Sequence, residues 1–196
     1  MSLIEAQYGF QRGISDLAAE NEYREGYQKI KGRWWRSSDP RIPASLRQEL
    51  VNELMSARRA VASGKKAGCD DAITAARFRV NNAKCALGER GHKWWLKTNT
   101  NELKMRIIMT LCVLLHHRTQ GSVCPSEVAR IAAGDEWRDY MSTVRELAQY
   151  LVIQGIADIT QKGKSVKPPF SGPIRIRRGA RFGSTTQELL RSTLAE

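Results

Sequence analysis

The residues of this sequence best suited to chemistry are cationic side chains concentrated in one short segment of its second half. Residues 156–183 hold seven lysines and arginines and one acid, Asp158, so the segment has a net charge of +6. The seven cations are Lys162, Lys164, Lys167, Arg175, Arg177, Arg178 and Arg181. Such density suits the neutralisation of phosphate groups, and the first six are therefore candidate nucleic-acid contacts.

A second set of polar side chains, upstream of this segment, has helical spacing. The set consists of Arg138, Ser142, Arg145 and Gln149, at intervals of three and four residues. Arginine and glutamine can make paired hydrogen bonds to guanine and adenine, so the row has the chemistry to read base edges. Two alternatives stay open. The row is an ordinary solvated helix face, or Arg145 turns inward to pair with Glu127 or Glu146.

Other kinds of chemistry have weaker support in the sequence. His116 and His117 are consecutive, so on a helix they point about 100° apart and do not converge on one metal ion. The four cysteines form no Cys-x-x-Cys pair, and no glycine-rich phosphate loop or Gly-x-Ser-x-Gly motif is present. We therefore expect no catalytic residues, no metal and no cofactor, and a protein that is not an enzyme.

The helices and strands that position these cations are predicted from the spacing of apolar residues and from residues, such as proline and glycine, that begin or end such elements. We expect an apolar helix at about 101–118 and a short helix that starts at Pro125, has Glu127 as its capping-box acid and ends at Gly134. A longer helix is expected over 135–155. Alternation in "IADITQKG" and "GPIRIRRG" predicts two strands, the second with Ile174 and Ile176 inward. Three helices and a hairpin are the order of a winged helix-turn-helix, whose third helix reads bases.

The first half predicts a helical hairpin. Apolar stripes over about 44–63 and 70–88 indicate two amphipathic helices joined by the turn "SGKKAG". Two tryptophan pairs, in "GRWWR" and "GHKWW", bracket this hairpin. We favour packing of all four rings over the open end of the hairpin, because its apolar stripes consist of modest-sized aliphatic side chains and need further apolar cover. Stacking of the rings on nucleic-acid bases is the alternative.

The expected fold class is therefore mainly α with a small β-hairpin, in four segments. A polar segment with short helices at about 13–30 occupies 1–31, the helical hairpin 32–98, the winged-helix domain 99–183, and a tail with a short helix 184–196.

The motifs "CPSEVAR", "WRDYMSTVRELAQYL", "GIADITQKGKSV" and "GPIRIR" resemble, in this order, an uncharacterised bacterial family, a domain of unknown function. The resemblance covers about 105–178 and implies a winged-helix-like fold. The first half, with "DPRIP" and "AKCALGERGHKWW", is similar to small hypothetical bacterial proteins of unknown role.

The net charge and the apolar runs of the chain indicate which kinds of partner and location to expect. The chain has 32 lysines and arginines against 20 acids, a net charge of +12, which favours polyanionic partners. The longest apolar run, at 105–115, is too short for a membrane span, and the first residues lack a signal-peptide pattern. We therefore expect no membrane partner, a cytoplasmic location and reduced cysteines.

The sequence as a whole predicts a DNA-binding protein, for example a transcriptional regulator, with duplex DNA as its partner. Its helical hairpin is the candidate interface of a homodimer. The alternatives are an RNA- or ribosome-associated factor and a basic protein-interaction adaptor.

Overall fold

The structure, a computed structural model, describes residues 24–97 and 99–183. Contacts divide the chain into two compact units, one ending at Ser37 and one beginning at Ser38. Most of the polar N-terminal segment and the tail predicted over 184–196 lie outside the described residues. The described part is mainly helical with two small antiparallel sheets, which confirms the predicted fold class at this level.

The described part of the first unit is a β-hairpin. Strand β1 (Tyr27–Ile30) pairs antiparallel with β2 (Arg33–Arg36). The two connecting residues, Lys31 and Gly32, both have positive φ, 49° and 76°, as a type I′ turn requires. The short helices predicted up to residue 30 are therefore wrong for 27–30, and the first tryptophan pair lies on a strand.

The second unit contains five α-helices and three strands among the described residues. The helices are α1 (Ala44–Ala67), α2 (Asp70–Ala86), α3 (Thr100–His117), α4 (Pro125–Ala133) and α5 (Met141–Ile153). The strands are β3 (Ala157–Gln161), β4 (Lys164–Ser165) and β5 (Arg175–Arg178). Within the described ranges, no helix is long and apolar enough to cross a bilayer.

Helices α1 and α2 form the predicted antiparallel hairpin. Position 64, near the end of α1, lies against Ile73 near the start of α2, and Glu53 further back on α1 bonds Arg79 further along α2. Helix α1 continues four residues beyond the predicted end because Gly68 terminates it in the left-handed conformation, with φ 66°. The connection is therefore Gly68–Cys69, shorter than the predicted turn.

One hydrophobic cluster runs through the whole second unit. It joins Leu50 of α1, Leu111 of α3, Leu151 of α5 and Ile176 of β5, all with no exposed surface. The residues on either side of the boundary predicted near residue 98 therefore share one core. The apolar stripe of α1 is part of that core, so a dimer through the helical hairpin would have to use its other faces.

Helix α4 begins and ends at the predicted capping residues, whereas α5 begins later than predicted. Glu127 accepts a hydrogen bond from the Cys124 N–H at 2.7 Å, as a capping-box acid does. Gly134 follows α4 with φ 58°. Residues 134–141 then form successive tight turns in which each bonded N–H contacts the carbonyl three residues earlier, and α5 begins only at Met141. The prediction of a continuous helix from residue 135 is wrong, because periodicity does not distinguish such turns from a helical turn.

The C-terminal sheet has the order β4-β3-β5, all antiparallel, and Val123 adds a bridge on the free edge of β5 through two hydrogen bonds to Ile176. Ile174 and Ile176 are buried while Arg175 and Arg177 are exposed, which confirms the predicted alternation. Strand β4 lies between the two predicted strands, where no strand was predicted.

The central polar contact of the second unit is a buried carboxylate between two arginines. Asp39 has no exposed surface and accepts hydrogen bonds from Arg41 Nε at 2.9 Å and from Arg106 Nη2 at 3.1 Å. Arg106 also donates to the Ala86 and Ala132 carbonyls. Burial alone would raise the pKa of Asp39, but the hydrogen bond from Arg41 and the charge of Arg106 outweigh it and hold the pKa below its ordinary value.

Hydrogen bonds also hold the backbone around Asp39. Its N–H donates to the Leu87 carbonyl at 2.8 Å, after the end of α2. Arg47 Nη2, from α1, donates to the Asp39 and Pro40 carbonyls. The loop before α1 is therefore bonded to α1, to α3 and to the end of α2, and Arg106 extends these contacts to α4.

We predict that Asp39→Asn lowers the free energy of unfolding by about 3–5 kcal/mol, because Arg106 would remain buried without its counter-charge. The measurement is urea denaturation. Asp139→Asn, which changes an exposed carboxylate, is the control and should stay within about 0.5 kcal/mol of the wild type. Equal losses in the two variants would contradict the central role of Asp39.

A second prediction compares two glycines with positive φ. Gly68 has φ 66° with open space around it, whereas a Cβ on Gly88, φ 82°, would lie 2.9 Å from Trp94 Cδ1 and 3.2 Å from the Asp39 Cβ. We expect Gly68→Ala to cost about 1 kcal/mol from backbone strain and Gly88→Ala about 2–4 kcal/mol from strain and overpacking. Denaturation midpoints of both variants test this, and a smaller loss at Gly88 would refute it.

Candidate nucleic-acid interface

The basic segment folds into a hairpin with a tight tip. Strands β3 and β4 pair through Gln161 and Lys164, and the two residues between them, Lys162 and Gly163, have φ 49° and 80°. This is again the type I′ geometry, with lysine and glycine in the same order as in the first hairpin. Lys162 and Lys164 are both exposed at this tip.

Three of the candidate cations line one open groove. Lys162, Lys164 and Arg175 lie along a groove of about 860 Å³ whose floor includes Val166 and Ile174. Lys167 is exposed in the following loop, and Arg177 is exposed on β5 opposite Asp158. The one carboxylate of this segment accepts a hydrogen bond from the Ser165 hydroxyl at 2.6 Å. The segment therefore presents a mostly uncompensated positive surface.

The loop between β4 and β5 is held in place from two sides. Gln161 donates from its amide to the Ser171 and Pro173 carbonyls. Arg145 of α5 donates to the Gly172 carbonyl at 3.0 Å and the Phe170 carbonyl at 3.3 Å, and its guanidinium lies 5.4 Å from the Phe170 ring centre.

Arg145 is therefore used within the fold as a link between α5 and the basic loop. The inward partners considered for it were Glu127 and Glu146, and it bonds loop carbonyls instead. Glu127 pairs with Arg118 at 2.9 Å, and Arg118 also binds Glu49.

Arg178 is the other candidate cation that turns inward. It donates from Nε to the Leu115 carbonyl at 2.7 Å and from Nη2 to the His116 carbonyl at 2.9 Å, satisfying the C-terminal end of α3. Its guanidinium also lies 5.0 Å from the Phe182 ring centre. Alternation along β5 did not reveal this, because a guanidinium at the end of a strand can curl back onto a helix end.

The polar row predicted for α5 is only partly a helical face. Ser142 is exposed and Gln149 half-buried on α5, but Arg138 precedes the helix. Arg138 lies 4.5 Å from the ring centre of Trp137, and Arg130 of α4 lies 4.6 Å from the same ring. The open side of α5 also carries two large apolar side chains, Tyr150 and Ile153, which are 39% and 70% exposed.

None of the four paired tryptophans is fully buried. Trp35 is 48% exposed, and Trp34 lies beside the cations Arg24 and Lys29, 5.1 and 5.8 Å from its ring centre. Trp94 and Trp95 are half-buried and in edge-on contact, with ring centres 5.0 Å apart. These rings are therefore partly packed and partly exposed, and their packing over the open end of the helical hairpin stays a prediction. The expectation that the two pairs meet stays a prediction, since they belong to different compact units.

His92 is paired with a carboxylate, and His116 and Cys112 are in buried surroundings. His92 Nδ1 lies 2.9 Å from Glu102 Oε2, and burial lowers the pKa of His116 to about 4, helped by nearby Arg79 and Arg178. Burial raises the pKa of Cys112 to about 12. Among residues 24–97 and 99–183, no group of three His, Cys, Asp or Glu side chains is arranged to hold a metal ion.

Sequence reasoning missed the polar residues that organise the fold, above all Asp39 and Arg118. One signal was present for Asp39. Arg106 interrupts an otherwise apolar helix, and a charge at such a position requires a buried partner. No comparable signal marks Arg118, whose partners lie on α1 and α4.

The comparison with known families agrees with the sequence motifs. Residues 104–179, from near the start of α3 to the residue after β5, match the profile of a family described as a protein of unknown function (DUF3253). The match confirms the resemblance to an uncharacterised domain family over this segment. No curated protein matches the chain.

We predict that Arg145→Ala loosens the basic loop, because two hydrogen bonds from a charged donor are lost. Amide hydrogen exchange in the segment 166–174 should become roughly ten- to a hundredfold faster, the equivalent of about 1.4–2.8 kcal/mol. Gln149→Ala, which removes a neighbouring polar side chain of α5, should leave these rates unchanged. Unchanged rates in Arg145→Ala would show that the loop is held by other contacts.

Proposed function

We propose that the protein binds duplex DNA through a winged helix-turn-helix formed by the segment from α3 to β5. Helix α5 would be the recognition helix and the β3–β4 hairpin, with the loop that follows it, would be the wing. The wing cations would neutralise phosphates and α5 would face the major groove.

The order of elements supports this proposal. Helices α3, α4 and α5 precede β3, successive turns join the second of them to the third, and Val123, between the first and second, forms an isolated bridge to β5. Val123 and β3 therefore flank β5 on opposite sides, which is compatible with the strand arrangement of a winged helix.

The observation that carries the proposal is the exposure of five cations in one ordered segment. Once Arg145 and Arg178 are set aside for their internal bonds, Lys162, Lys164, Lys167, Arg175 and Arg177 remain exposed. Lys162, Lys164 and Lys167 lie on the hairpin and the loop that Arg145 and Gln161 hold to α5 and β3, and Arg175 and Arg177 lie on the neighbouring strand β5. A preorganised positive surface loses little conformational entropy when it binds a polyanion.

Arg138, Ser142 and Gln149 remain the candidate base contacts of this proposal. Gln149 and Ser142 lie on α5, and Arg138 would contribute from the turn that precedes it. Dimerisation through the outer faces of α1 and α2 also stays a proposal, and it would present two recognition helices to one duplex.

A second function, binding of single-stranded RNA, is favoured by the first hairpin. Trp35 is 48% exposed on β2 between Arg33 and Arg36, which are exposed and half-buried. Exposed aromatic rings beside cations suit stacking on unpaired bases. A role as a protein-interaction adaptor is the third alternative, for which the exposed Tyr150 and Ile153 are the supporting feature.

The test is fluorescence anisotropy of labelled duplex DNA, duplex RNA and single strands at several salt concentrations. We expect duplex DNA to bind most tightly, with an affinity that falls steeply with salt. In the variant Lys162→Ala/Lys164→Ala/Lys167→Ala the slope of log K against log salt should decrease by roughly 2 to 3, since each phosphate contact contributes about 0.9.

The control is Lys65→Ala/Lys66→Ala/Arg77→Ala, which removes the same charge from exposed positions of α1 and α2. It should retain most of the salt slope. Equal losses of salt slope in the two triple variants would show that the effect depends on net charge alone and not on the wing. Preference for single strands, with quenched tryptophan emission, would favour the RNA function, and no binding at low salt would exclude both nucleic-acid functions.

A further inference from the structure

A second concentration of positive charge lies in a pocket away from the wing hairpin. The pocket has a volume of about 510 Å³ and lies where α1, α2, the end of α3 and β5 meet. Its lining is almost entirely polar, and consists of Asn52, Glu53, Ser56, Arg59, Arg79, His116, His117, Thr119 and Arg178. A volume of this size admits a small organic ligand.

The charges of this lining do not balance. Three arginines, Arg59, Arg79 and Arg178, face one carboxylate, Glu53, which leaves an excess of two positive charges when the histidines are neutral. Glu53 is 3% exposed, and Arg79 contacts its Oε1 from Nη2 at 2.7 Å and from Nε at 2.8 Å.

The three arginines are held in different ways. Arg79 also donates to the Ser56 hydroxyl at 3.2 Å, and Arg178 is fixed by the carbonyls at the end of α3. Arg59 is exposed, and no hydrogen bond or ion pair to another described residue holds it. Two arginines are therefore preorganised, and a third is free to close on a ligand.

The charges of the pocket act on the titratable groups of its lining. Burial lowers the pKa of His116, and the charges of Arg79 and Arg178 lower it further, to about 4. Burial also lowers the pKa of Arg178; the attraction of Glu53 opposes this, and the repulsion of Arg79 adds a smaller lowering. Glu49, the next carboxylate, is engaged by Arg118 at 2.7 Å and lies 4.0 Å from His117 Nε2.

We infer that this pocket binds the phosphate group of a small phosphate monoester. Two preorganised guanidinium groups and the Ser56 hydroxyl supply donors for the phosphate oxygens, and a dianion neutralises the excess charge. The side chains of Asn52 and Thr119 extend the polar lining beyond the arginines, where they suit the hydroxyl groups of an ester.

A small ligand fits this site better than a nucleic-acid backbone. The donors lie in an open depression where four elements meet, and the side chains of Arg79 and Glu53 are only 24% and 4% exposed. Phosphates of a duplex are contacted by exposed side chains such as those of the wing, which protrude from the surface. The pocket and the wing therefore constitute separate anion sites.

The experiment is a titration of the full chain, followed by ¹H–¹⁵N NMR, with inorganic phosphate and with glycerol 3-phosphate. It is performed at about pH 8, where both are dianions, with the ionic strength held constant by sodium chloride. We expect saturable shifts of amides around Ser56, Arg79 and His117. Arg59→Gln should weaken both ligands roughly tenfold, the loss expected for one charge-assisted hydrogen bond.

Arg58→Gln is the matched control, because Arg58 is the adjacent exposed arginine of the same helix and does not line the pocket. It should change the dissociation constants less than about twofold. Equal weakening by the two variants, or shifts no larger than those caused by chloride, would overturn the assignment. Binding of inorganic phosphate without glycerol 3-phosphate would overturn the assignment to an ester.

The wing variant Lys162→Ala/Lys164→Ala/Lys167→Ala should bind glycerol 3-phosphate like the wild type, since its lysines are outside the pocket. Loss of phosphate binding in this variant would contradict a separate site. The DNA titration is read independently, so failure of the pocket proposal and failure of the DNA proposal give different results.

Discussion

The bond between Arg106 and Asp39 is the contact around which the second unit is organised. A guanidinium in the middle of an apolar helix needs a counter-charge and hydrogen-bond acceptors. Asp39 supplies the charge and accepts from Nη2, and the Ala86 and Ala132 carbonyls accept from Nη2 and Nη1. The ends of α2 and α4 must therefore meet α3 at this point, and within the second unit the residues on either side of the boundary predicted near residue 98 share one core.

This constraint determines which cations remain available for ligands. Arg118 joins Glu49 to Glu127 and so fixes α4 against α1, while Arg178 satisfies the end of α3 and Arg145 holds the basic loop. The wing cations and Arg59 at the pocket are exposed, whereas Arg79 and Arg178 of the pocket are bonded within the fold. Exposed cations suit a polymer and partly buried arginines suit a small anion, so under the two proposals the same basic composition would serve two kinds of partner.

The wing and the pocket share a physical connection through β5. Arg177 is exposed beside the wing cations, and the next residue, Arg178, lines the pocket. Helix α3 contributes Arg106 to the central ion pair and His116 to the pocket, so one helix contacts both the organising charge cluster and the proposed ligand site. Rigid elements of this kind position functional side chains more accurately than loops do.

Local signals in the sequence were sufficient for α3, the capping of α4 by Pro125, Glu127 and Gly134, and the alternation around Ile176, because each depends on neighbours within a few residues. The late start of α5 and the hairpin strand that carries Trp34 depend on near neighbours, through local turns that hydrophobic periodicity does not reveal. The inward turns of Arg145 and Arg178 were decided only by the tertiary structure. The partners concerned are far apart in the chain. Arg106 and Asp39 are separated by 67 positions, Arg178 and Leu115 by 63, and Arg145 and Gly172 by 27. Periodicity reports which face of an element is apolar, whereas the choice of partner for a long charged side chain depends on which distant groups the packing brings within its reach.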